Sequence, residues 1–365
     1  MKPAIKFINT DQSRFFSTLR QRVNTYFKEN EVSPYGNGEM FIKTITLVGI
    51  YLLSYLAIML LPLNAWLLLP FVLLMGFTMA GVVMTVMHDG LHGSYSKNTF
   101  VNKLMGGSIY LLGANAHVWK VQHNVLHHTY TNIHGADEDI GTKVVIRLST
   151  QAPLKKYHRY QHIYVFFLYG LMTLLMLTND FIKMLKYHRR GLLKKQNFNI
   201  NNEYSKLLAL KSLYLFFVIG LPLLFTSLLW WQVLIGFMLM HLTAGFILSI
   251  IFQMAHVVEG AEQPIPDAQG NIENAWAIHE LQTTADFAPK NRFLNWYIGG
   301  LNFQIEHHLF PNICHVHYPK IAHIVKQTAE DFQLDYNVKP TFVQALKSHI
   351  SMLKMLGRPA KQALG

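Results

Sequence analysis

The sequence predicts an all-α integral membrane protein: two transmembrane helical hairpins, four spans in all, with interfacial helices and a cytoplasmic helical cap that carries clustered histidines. Three observations predict it. Of the 365 residues, 51% are hydrophobic and only 14% charged, where an ordinary soluble domain has about 25%. Two stretches, Thr44 to Met87 and Ser212 to Ala255, each run 44 residues without Asp, Glu, Lys or Arg. The 19 histidines nearly equal the 20 acidic residues, and several stand just outside those stretches. The same composition excludes a disordered chain. With one cysteine, Cys314, the chain supplies no disulfide framework, four-thiolate iron–sulfur cluster or thiolate zinc site.

Each element follows in order. Residues 1–40 form an amphipathic cytoplasmic segment, with Phe15, Phe16, Leu19, Val23 and Phe27 at helical spacing. Such a helix lies on the membrane face or packs on the soluble part. A span needs about 20 apolar residues, so each charge-free stretch holds two helices and a tight turn. The spans are expected near 44–63, 66–87, 212–229 and 233–255. Pro62, Asn64 and Pro70 mark the first turn; Trp230, Trp231 and Gln232 suit an interfacial second one. A third apolar stretch, 161–179, is long enough to cross. A single crossing there would part the histidines after Met87 from those after Ala255, so it is read as an interfacial or re-entrant helix.

Every Lys and Arg falls outside these hairpins, and the tips near 62–66 and 229–233 carry none. The positive-inside rule then places both termini and both polar segments in the cytoplasm. The net charge of +12 is read as membrane-flanking, not as nucleic-acid binding. The runs Lys186–Arg190 and Lys194-Lys195 fit membrane-face anchors, or a site for a CoA phosphate or an acidic electron donor. Residues 41–325 read as one membrane-embedded domain and 326–365 as a C-terminal cytoplasmic helical tail.

His88 follows the first charge-free stretch directly and His92 lies four residues on, so both rings share a helix face. Such a pair arises about once by chance in a chain this rich in histidine. The second cluster, His123-Asn-Val-Leu-His127-His128, has a chance expectation of about 0.05. The third is Gln304-Ile-Glu-His307-His308, and His256 follows the second charge-free stretch as His88 follows the first. Eight imidazoles exceed the about four ligands of one zinc and suit two ions with open positions. Open positions on iron serve oxygen activation, which the unactivated C–H bonds of a lipid chain require.

These three boxes resemble those of the membrane fatty acid desaturases, and the glutamine-headed third box is similar to the front-end branch, which includes linoleoyl-CoA desaturase-like proteins. Gln282-Thr-Thr-Ala-Asp-Phe and the run from Leu301 through His-His-Leu-Phe-Pro look like the same branch, over Phe41 to Val325. The resemblance implies that His88, His92, His123, His127, His128, His307 and His308 ligate two non-haem irons and act in catalysis through them. His256 matches the additional histidine after the last span, and Gln304 stands where other branches have histidine, ligating through its amide oxygen or a water. It further implies O2 as co-substrate, two electrons, and a cis double bond placed in a fatty acyl chain carried by CoA, acyl carrier protein or a glycerolipid. The chain shows neither a His-Pro-Gly-Gly haem motif nor a dinucleotide fingerprint. Electrons are therefore expected from a separate ferredoxin or free cytochrome, in a bacterial plasma membrane. Asp286 departs from the family's asparagine.

A membrane alkane or acyl hydroxylase of similar histidine design is the alternative reaction. A non-redox metal-binding protein or carrier is the alternative class; a carrier places polar ligands at mid-depth, where only His241 lies. Among neighbouring residues, Asp137 and Asp139 suit hydrogen bonds to ligand imidazoles or a solvated acidic turn. His117, Trp119 and Gln122 suit packing or the substrate side of the second box, His279 a structural or supporting place, and His315 and His317 surface or cap packing.

Overall fold

The computed structural model describes residues 5–8, 14–141, 144–193 and 199–359. The Lys194-Lys195 pair lies outside the described residues. Two compact units form, one of residues 36–121 and 166–250, the other of 1–35, 122–165 and 251–365.

In the first unit, four helices are long and apolar enough to cross a membrane: Gly38–Leu60, Ala65–His92, Ile200–Phe225 and Trp230–His256, whose residues up to Ile250 belong here. At about 1.5 Å per residue even the 23-residue helix exceeds a hydrocarbon core of about 30 Å. The starts are set by asparagines: Asn37 accepts from Glu39 N, Asn64 from Trp66 N and Leu67 N, and Asn199 from Asn201 N and Asn202 N. Each satisfies amide groups that a first helical turn leaves unpaired. Trp66 and Trp230, exposed near the tips, suit a bilayer interface.

The four expected spans are present with shifted bounds. The third begins at Ile200 rather than 212, which places Lys211 inside a spanning helix. Glu203 and Lys206 lie on the first turns of that helix, and Lys211 is fully partnered: its Nζ pairs with Asp180 Oδ2 at 2.8 Å and donates to Gly113 O at 2.6 Å and Met176 O at 3.1 Å. Lys43 likewise lies buried in the first span, 3.9 Å from Glu39 Oε1. The second span continues through His88–His92 instead of stopping at Met87. Residues 161–179 fall on two helices, Lys156–Gly170 and Met172–Arg189, bent by 75° at Leu171. His241, the deep histidine, is held by Tyr214 OH at 2.7 Å and Thr173 Oγ1 at 3.0 Å, which explains it as packing within the unit.

In the second unit, helix Phe15–Glu29 buries Phe15, Leu19, Val23 and Phe27 against Ile305, Leu309, Tyr318, Ile321 and Val325. Its apolar face is thus occupied by protein, the second of the two alternatives for this helix. Each such buried side chain contributes roughly 1.5–3 kcal/mol. Helices Tyr318–Asp331 and Phe342–Leu356 complete the unit, with two short parallel strand pairs, Lys6–Phe7 on Asn271–Ile272 and Asp286–Phe287 on Val338–Lys339. His315 and His317 are buried rather than on the surface, and His317 Nε2 bonds Tyr35 O at 3.0 Å.

Helices Ala65–His92 and Trp230–His256 approach closely at Gly76, where a Cβ would sit 2.5 Å from Met240 O. Small residues permit such crossings in lipid, where association rests on close packing. Gly76→Leu should therefore destabilise the fold by about 1–3 kcal/mol. Thermal unfolding in detergent should show a lowered Tm; an unchanged melt would contradict the close approach.

Candidate metal centre

The second histidine box lies on a π-helical segment, Val121–His127, followed by His128. In an α-helix residues five apart point roughly 140° away from each other. Hydrogen bonding from i to i+5 brings such residues onto one face. His123 Nε2 and His128 Nε2 accordingly lie 3.2 Å apart, and the His127 ring is 5.3 Å from that of His123.

The third box lies on the short helix Gln304–Leu309, all six residues of it buried. Its start is fixed from the neighbouring strand, where Asp286 Oδ1 accepts from Ile305 N at 3.0 Å. His307 and His308 then meet the second box: ring centroids are 4.5 Å apart for His128 and His307, and 4.4 Å for His128 and His308. His256, at the end of its helix, joins them 4.7 Å from His127 and 4.8 Å from His308. Two buried ligand groups result. His127, His256 and His308 present nitrogen atoms within 4.8 Å of one another, as do His128, His307 and His308. His123, His127 and Asp139 form a further group.

Carboxylates and hydroxyls hold these rings from behind. Glu280 Oε2 lies 2.7 Å from His308 Nδ1 and accepts from Thr131 Oγ1 at 2.8 Å. Asp137 Oδ2 lies 3.2 Å from His127 Nδ1, and Asp139 Oδ2 3.5 Å from the same nitrogen. Tyr318 OH lies 3.2 Å from His307 Nδ1. With a metal at Nε2, an ionised carboxylate at Nδ1 would hold the ring proton there and keep the Nε2 lone pair on the metal. Burial pushes the Glu280 carboxyl well above its ordinary range, while Thr131 and His127 oppose that rise. Burial lowers the His127 imidazole, but Asp137 and Asp139 outweigh it and raise the group to about 9.

Among the described residues His256 Nε2 is buried with no hydrogen-bond partner. A buried polar atom left so costs about 1–3 kcal/mol. A metal ion would resolve that cost, and a buried, imidazole-rich, thiolate-free donor set suits iron, zinc or copper. The residues present therefore fit a metal. Gln304 is also buried, and its Nε2 has no hydrogen-bond partner among the described residues.

His88 and His92 belong to the other unit, at the end of helix Ala65–His92 just after a π segment, Val83–Met87. Their rings stand 4.6 Å apart, and Trp119 packs edge-on at 5.8 and 5.9 Å. Gly93, at φ +80°, ends the helix in the left-handed region that glycine tolerates. Gly90, between the two histidines, lets the backbone of helix Thr99–Gly106 come close: a Cβ there would meet Gly106 N.

Sequence reasoning anticipates Asp137 and Asp139 but misses Glu280, Thr131 and Tyr318, since nothing in one dimension links residue 280 to 308. Gln122 Nε2 bonds Asp139 Oδ1 at 2.6 Å, His117 lies 3.9 Å from Glu203 Oε2, and His279 packs on the Phe7 ring at 5.0 Å. Asp286 meets a partner that no motif shows. Tyr336 OH lies 2.5 Å from Asp286 Oδ2 and 3.0 Å from Glu306 Oε1. One hydroxyl carries one proton, so a carboxyl must donate the other bond. Burial accordingly raises Asp286 to about 6, and Glu306 well above its ordinary range.

Comparison with known proteins agrees with this architecture. A family model described as fatty acid desaturase matches residues 64–340. The chain is 37% identical to an sn-1 linoleoyl-lipid 6-desaturase of Arthrospira platensis, over 94% of this chain and 92% of that protein. It is 36% identical to an acyl-lipid (8-3)-desaturase of Physcomitrium patens, over 98% of this chain and 74% of the relative. A third relative, the sn-1 linoleoyl-lipid 6-desaturase of a Synechocystis species, is 35% identical over 97% of this chain and 98% of its own.

Carboxylates behind ligand imidazoles typically carry 10–100-fold in metal affinity. Glu280→Ala should lower affinity by about that factor while the helices persist, as read by metal titration beside circular dichroism. Unchanged affinity would contradict the positioning role.

Proposed function

The chain belongs to the fatty acid desaturase family, and from that premise we propose that it holds two non-haem irons and inserts a cis double bond into an acyl chain of a membrane glycerolipid, using O2 and two electrons. The observation that carries this reading is the convergence of His127, His256 and His308, and of His128, His307 and His308, in one buried, carboxylate-backed cluster. The family motif adds His88, His92, His123 and Gln304 to the ligand set.

When bound, the iron pair would supply the activation of O2 needed to break an unactivated C–H bond, which no side-chain base accomplishes. The protein's own part is orientation and exclusion of water. Glu280, Asp137 and Tyr318 fix the rings through Nδ1, and the burial of His123, His127, His128, His256, His307 and His308 keeps bulk solvent off the cluster. Rigid placement of an acyl chain against such a centre favours loss of the second hydrogen over hydroxylation.

The acyl-lipid form of the substrate rests on the relatives, whose names give linoleoyl-lipid and acyl-lipid substrates. Electrons come from a separate donor such as a ferredoxin or a cytochrome. Hairpin tips without Lys or Arg support termini and histidine boxes on the cytoplasmic face, and the Arthrospira and Synechocystis relatives favour a bacterial membrane.

Expression in a host with a reducing system, followed by gas chromatography–mass spectrometry of its lipids, tests the reading. A new unsaturated acyl species is expected from the unmutated chain. His308→Ala should abolish it and lower bound iron while the protein still inserts. Hydroxylated acyl chains instead would move the assignment to the hydroxylase reaction; full activity in His308→Ala would remove the ligand assignment.

A further inference from the structure

The unit of residues 36–121 and 166–250 contains two apolar cavities. The larger, about 840 Å³, has Thr44, Leu52, Val86, Leu104 and Leu213 in its wall. The smaller, about 180 Å³, reaches the hairpin tips at Trp66 and Trp231. Tyr55 and Val218 line both.

The Tyr55 side chain is fixed there for a reason visible in the sequence. Helix Ile200–Phe225 relaxes into π winding over Phe216–Gly220, where Phe216 O accepts from Leu221 N, five residues on. The same register offers Phe217 O the nitrogen of Pro222, which carries no hydrogen. A carbonyl in lipid needs a donor. Tyr55 OH supplies it, reaching across from helix Gly38–Leu60 to Phe217 O at 2.6 Å. Pro222 thus calls for a hydroxyl at this point, and the tyrosine ring that brings it stands between the two cavities.

The larger cavity lies in the same unit as the first histidine box, and its wall comes near that box along the chain. Val86 precedes His88 by two residues, and Leu104 and Met105 in its wall belong to the helix whose backbone rests on Gly90. Along helix Gly38–Leu60, Thr44 and Tyr55 are separated by roughly 16 Å at 1.5 Å per residue. The exposed Lys103 ammonium, also in the wall, complements an anionic lipid headgroup, and the remaining wall suits hydrocarbon. Such a wall suits the acyl chain of a membrane glycerolipid as its occupant.

We propose that Tyr55, latched to Phe217 O, is the floor of the acyl-chain chamber and sets the longest acyl tail the enzyme accepts. Opening that floor joins the smaller cavity to the larger. The inference rests on the desaturase reading.

The full chain is expressed in a host fed a ladder of fatty acids differing by two carbons, and the unsaturated products are measured. Tyr55→Ala should move the cutoff to longer chains, raising the ratio of long to short products about tenfold. Val218→Ala opens the same wall without touching the latch and should shift the cutoff in the same direction. Leu52→Trp narrows the larger cavity and should shift it to shorter chains. Unchanged cutoffs in variants that still make product would overturn the proposal. A glycerolipid with a diazirine near the methyl end of its chain gives a readout independent of activity. Crosslinks at Tyr55 or Val218 are expected. Crosslinks confined to other helices would overturn the chamber, whereas crosslinks at these residues without any unsaturated product would uphold it and reject the desaturase reading.

Discussion

A buried imidazole must have both of its nitrogens accounted for, and much of the candidate site follows from that constraint. Glu280 and Asp137 occupy the Nδ1 side of His308 and His127, which commits their Nε2 atoms to a common point. The carboxylates are buried as well, so they in turn need donors, which Thr131 Oγ1, Asn132 N and Asp139 N provide. Each layer makes the next one's orientation definite. The turns that follow Tyr130 carry all three of these outer donors.

Departures from regular α-helix recur where chemistry is expected. π winding underlies the second box, precedes the first and frees the carbonyl that Tyr55 satisfies. Each widened turn re-aims side chains that regular winding would spread around the helix. A continuous α-helix through residue 121–128 would have directed His128 away from His123. The charges inside the membrane-crossing unit obey a similar economy: Lys211 is tolerated because Asp180 and two carbonyls enclose it.

Much of this was legible in the sequence. Charge-free stretches revealed the four spans because apolar length is a one-dimensional property. Adjacent histidines at helical spacing marked the boxes for the same reason. Helix bounds were less legible, since the third helix starts at Ile200, twelve residues before the charge-free stretch, and carries Glu203, Lys206 and Lys211 in between. The amphipathic stripe at Phe15, Leu19, Val23 and Phe27 announced a helix but not what would cover it. Glu280 was invisible, because its value lies in a contact spanning 28 residues.

The central claim is that the histidine boxes bind a pair of iron ions. The most direct test is metal stoichiometry of the purified, iron-supplied protein, with X-ray absorption at the iron edge to identify its neighbours. The account predicts two irons per chain with a predominantly nitrogen environment. A single bound zinc, or iron surrounded mainly by oxygen ligands, would contradict it.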